Sequence, residues 1–96
     1  MQAVDVEESL KKAMDEVPTK SFWDYWALFV KKLDELIDAL KAGDIHNAEQ
    51  AALVGAKAAF DYLAERIDFP GVGKVTEAAL EQMVWRIIES GIKYAF

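Results

Sequence analysis

The side chains able to attack, coordinate or carry a proton are few in this chain. There is no cysteine and a single histidine. Disulfides and thiolate-bound zinc are therefore excluded, and stability has to come from packing. His46 follows Asp44, with Glu49 three residues on. A carboxylate-bridged metal bundle needs Glu-x-x-His on two helices and two further acids. One histidine in the reverse order does not supply that, so His46 reads as an exposed first-turn residue. Ser9 and Ser90 have no base nearby in sequence, and Ser21 is spent as a helix cap. Acid–base work would fall to carboxylates. Asp34 and Asp38, Asp61 and Glu65, and Glu77 and Glu81 pair at helical spacing. Such pairs are solvated faces or partners of lysines one turn away. Glu81 differs, since it falls between Leu80 and Trp85 inside an apolar arc, and it is expected at the edge of the core. The expectation is a protein that is not an enzyme, with no cofactor and no metal.

The stretch FPGVGKVT at 69–76 has the look of an anion-binding loop. A nucleotide-binding phosphate loop requires G-x-x-x-x-G-K-[ST] after a buried strand. Asp68 stands where the first glycine belongs, and Val75 follows Lys74. Ile67 together with Phe69 to Thr76 resembles the hydrophobic-x-P-G-[VI]-G turn of the helix-hairpin-helix DNA-binding family. The resemblance covers ten or so residues. It implies that backbone N–H groups of the turn, with a following Lys or Thr, would contact DNA phosphates without reading bases. Gly71, Gly73, Lys74 and Thr76 are the residues it marks. Glu77 stands where that family places a small residue, and Glu65 and Asp68 beside the turn would repel phosphate. The leading expectation is a corner between two helices, with glycines at positive φ and Pro70 breaking the helix. Weak nucleic-acid contact is the alternative.

Four helices are expected to position these residues, at approximately 5–17, 22–42, 45–67 and 76–95, in one helical domain of 96 residues. Asp5 opens the first with Glu8 as its capping-box partner, and Pro18 stops it. Its apolar face is narrow: Val6, Leu10, Ala13, Met14 and Val17. Ser21 caps the second, in which Phe22, Trp26, Phe29, Leu33, Leu36, Ile37 and Leu40 cluster at about 100° per residue. Gly43 ends that helix and Asp44 caps the next, a tight antiparallel hairpin similar to the turn of a tetratricopeptide-type repeat, with no second copy at that period. The third helix carries a bulky stripe (Ile45, Leu53, Phe60, Leu63, Ile67) and a small one (Ala48, Ala51, Ala52, Gly55, Ala58, Ala59). Apolar over most of its girth, it belongs at the centre.

Thr76 caps the fourth helix, where two apolar stripes lie side by side. Leu80, Val84, Ile87, Gly91 and Tyr94 form one; Trp85, Ile88, Ile92 and Phe96 form the other. With Met83 and Ala95 they cover an arc of roughly 220°. That is more than a terminal helix in a four-helix monomer can hide. The predicted fold is all-α, a compact four-helix bundle with a central antiparallel helical hairpin. The predicted role is protein interaction, with itself as a homo-oligomer or with another protein, through Trp85, Ile88, Ile92 and Phe96, with Trp23 at the margin.

Composition bounds the rest. The chain is 53% hydrophobic and 29% charged, which places it with globular rather than disordered chains. The net charge is −6, no segment is basic, and phosphate-backbone binding is accordingly disfavoured as a main role. Lys93 and Arg86 beside Glu89 would attract anionic lipid only weakly, so membrane-surface association ranks third. The amino end lacks a signal-peptide pattern and no apolar run approaches the ~20 residues of a membrane span. A cytoplasmic protein is expected.

Overall fold

The structure, a computed structural model, describes residues 2–16, 22–43, 46–66 and 76–96. It contains α1 (Ala3–Asp15), α2 (Phe22–Ala42), α3 (Ala48–Arg66) and α4 (Glu77–Ala95), with no strand among the described residues. The fold is a four-helix bundle, all-α, with the α2–α3 hairpin at its centre.

Three helix ends show their local causes. The Gln2 N–H donates to Asp5 Oδ2 at 2.7 Å. Asp5 thus serves α1 from inside its first turn, and the helix begins at Ala3 rather than at Asp5. Asn47 has φ 62°, a left-handed conformation that asparagine tolerates and a helix does not. The described α3 therefore begins at Ala48, three residues beyond the expected Ile45. Thr76 caps α4, its Oγ1 accepting from the Ala79 N–H at 3.2 Å. Asp44, Pro18 and Ser21, with the corner from Ile67 to Val75, lie outside the described residues.

The helix directions follow from contacts. Val6 of α1 lies against Gly55, and Asp15 accepts from the Tyr62 hydroxyl at 3.1 Å, so α1 and α3 are parallel. Leu53 and Val54 share a groove with Glu89, while Phe60 shares one with Glu81, so α3 and α4 are antiparallel. Lys41 Nζ donates to the Ala95 carbonyl at 3.0 Å, which aligns the C-terminal ends of α2 and α4. The bundle alternates in direction along the chain.

Side-chain size sets the spacing between helices. α3 touches all three others, and its closest backbone approach is to α1. Ala52, Ala56 and Ala59 are wholly buried there beside Gly55. A Cβ on Gly55 would lie 2.5 Å from the Ala3 carbonyl oxygen and 2.6 Å from Val6 Cβ. The small stripe of α3 thus admits α1, narrow apolar face inward. Elsewhere the filling is bulky. Phe29 meets the edge of Phe60 with centroids 6.2 Å apart, and Phe60 meets Trp85 at 5.7 Å. Larger side chains hold helices further apart. Leu33, Leu36, Ile37 and Leu40 of α2, Leu63 of α3, and Ile88 and Ile92 of α4 complete this core.

The extents are 43 × 27 × 17 Å. A thickness of 17 Å holds two layers of helices at their usual spacing of about 8–10 Å. No helix in such a slab is covered on every side, so each keeps an outer face, and the composition of that face decides what it can do.

Candidate docking surface

α4 divides its apolar arc between the core and the outside. Ile88 and Ile92 point inward and are 5% and 1% exposed. They were expected to meet a partner; in the bundle they are packing residues that no partner reaches without opening the core. Trp85 is half-buried against Phe60, and Phe96 is exposed at the carboxyl end. The other stripe faces outward. Ile87 is 63% and Tyr94 94% exposed, with Met83 beside them more than half exposed. Leu80 and Val84 are half-buried along its inner margin.

The division has a simple cause. At about 100° per residue the two stripes lie about a third of a turn apart, and either could face inward. α3 sits on the Trp85–Glu89 side of α4 and α2 approaches at Ala95. The Ile88–Ile92 line lies between those neighbours. The Met83–Ile87–Tyr94 line lies beyond them.

Gly91 sits in the middle of the outward stripe. It is exposed, and a Cβ built there would meet nothing within 4 Å. A glycine inside a helix costs about 0.5–1 kcal/mol relative to alanine. At Gly55 a close neighbour explains the residue; at Gly91 nothing among the described residues does.

α2 contributes the adjoining wall. Lys32 shares a hollow with Ser9, Lys12, Ala13 and Glu16, which places α1 on that side of α2. Lys41 reaches α4 on the other. Trp23, Val30, Asp34 and Lys41 recur at helical spacing and so share the α4 side. Trp23 is 68% exposed and Val30 is half-buried. Asp34 and Asp38 are exposed along the same margin. Arg86 and Lys93, both exposed, lie toward α3, Arg86 lining the α3–α4 groove and Lys93 facing Glu89 at 3.8 Å. Lys31 and Lys41 are exposed beside Asp34 and Asp38, so the α2 edge of the apolar strip carries both signs of charge.

A second feature lies between α3 and α4. Lys57 donates to Asp61 at 2.7 Å, and its ammonium stands 5.3 Å over the Trp85 ring and 5.9 Å from the Phe60 ring. Open grooves of about 480 Å³ and 210 Å³ flank it. Glu81 lines the smaller groove, half-buried at the core's edge. The cation roofs the aromatic pair and leaves no enclosed cavity between them.

Among the described residues no polar or charged side chain is buried, and no group of three or more His, Asp or Glu is placed to hold a metal. His46 and Ser90 are exposed. Of the turn marked for nucleic acid, Gly71, Gly73 and Lys74 lie outside the described residues, and Thr76 is occupied as the cap of α4. No helix among the described residues is long and apolar enough to cross a membrane. Comparison with known protein families, characterised proteins and solved structures finds no match to this chain.

Met83, Ile87 and Tyr94 did not stand out in the sequence as contact residues. Their signal was present in the width of the arc. Its ambiguity, two stripes and one inward direction, is resolved only by where α2 and α3 lie.

Proposed function

We propose that this protein is a small non-enzymatic interaction module that docks onto protein through the outward stripe of α4. Met83, Ile87 and Tyr94 supply the apolar contact, Gly91 lets the partner's backbone come close, and Trp23 borders the site. The observation that carries this reading is the exposure of Ile87 and Tyr94 in register with a glycine that no contact among the described residues requires. Burying each large side chain would contribute about 1.5–3 kcal/mol before ordering costs. Aromatic anchors ringed by polar groups are the usual centres of protein interfaces. The cysteine-free composition suits action in a reducing compartment such as the cytoplasm.

Photo-crosslinking tests the reading. A crosslinking amino acid at Ile87 or Tyr94, in an extract of the cells that make the protein, is expected to give discrete adducts. The same group at Gln82, on another face of α4, is expected to give none. Failure of both stripe positions to crosslink above the Gln82 background would contradict the docking role.

A further inference from the structure

We draw no further inference here: the strongest candidate, the apolar outer face of α4 around Met83, Ile87 and Tyr94, carries no more than the docking role already proposed, because nothing in the structure shows what covers it.

Discussion

A methyl group added at Gly55 would land 2.5 Å from the Ala3 carbonyl oxygen, while one added at Gly91 would meet nothing within 4 Å. The same substitution should therefore act with opposite sign at the two sites. Gly55→Ala is expected to destabilise the fold by about 1–3 kcal/mol, because backbone atoms of α1 have to move. Gly91→Ala is expected to stabilise the monomer by about 0.5–1 kcal/mol by removing a mid-helix glycine. Denaturant midpoints at low protein concentration measure both, and Gly91→Ala should lower the yield of crosslinks from Ile87. In sequence the two glycines look alike, each set in an apolar stripe of a helix. What separates them is whether another helix lies overhead, and that depends on contacts far apart along the chain.

The helices themselves were largely legible, because their cores follow the 3.6-residue period over several turns. Phe29, Leu33, Leu36, Ile37 and Leu40 all lie in the core, as their spacing indicates. The inward direction of α4 was not legible, and stability measurements can check it. Ile92→Ala is expected to cost about 2–5 kcal/mol as a buried truncation. Ile87→Ser, on the outward stripe, is expected to stay within about 0.5 kcal/mol of the native chain when monomeric. Equal costs at the two positions would contradict the division of the helix. Helix starts were harder to place because they depend on single residues. The left-handed Asn47 delays α3, and Asp5 acts from within the first turn of α1 rather than before it. Thr76 was placed correctly, and Thr76→Ala is expected to cost about 1 kcal/mol of stability through the lost cap. On α1, the hydrogen bond from Lys11 to Glu7 holds the lysine pKa above its ordinary value, aided by the charge of Glu7. A raised folded pKa means that the contribution is complete below the unfolded lysine value and is lost as pH rises through the folded one. Thermal midpoints should fall slightly at strongly alkaline pH, and Lys11→Met should remove that part of the fall.

At the scale of the molecule, a two-layer slab of four helices has enough interior for one stripe of its last helix and not for two. The width of the apolar arc in the sequence foretold an excess. Its location emerged from the parallel seating of α1 on the small stripe of α3, which leaves α4 at the other side of the bundle. A partner seated on the outer face of α4 would cover Ile87, Gly91 and Tyr94 while leaving Ile88 and Ile92 where they are. Photo-crosslinking from Ile87 and Tyr94 beside Gln82 tests this most directly. Discrete protein adducts should form from the two outward positions and not from Gln82. Equal crosslinking at all three positions would contradict a contact surface on the outer face of α4.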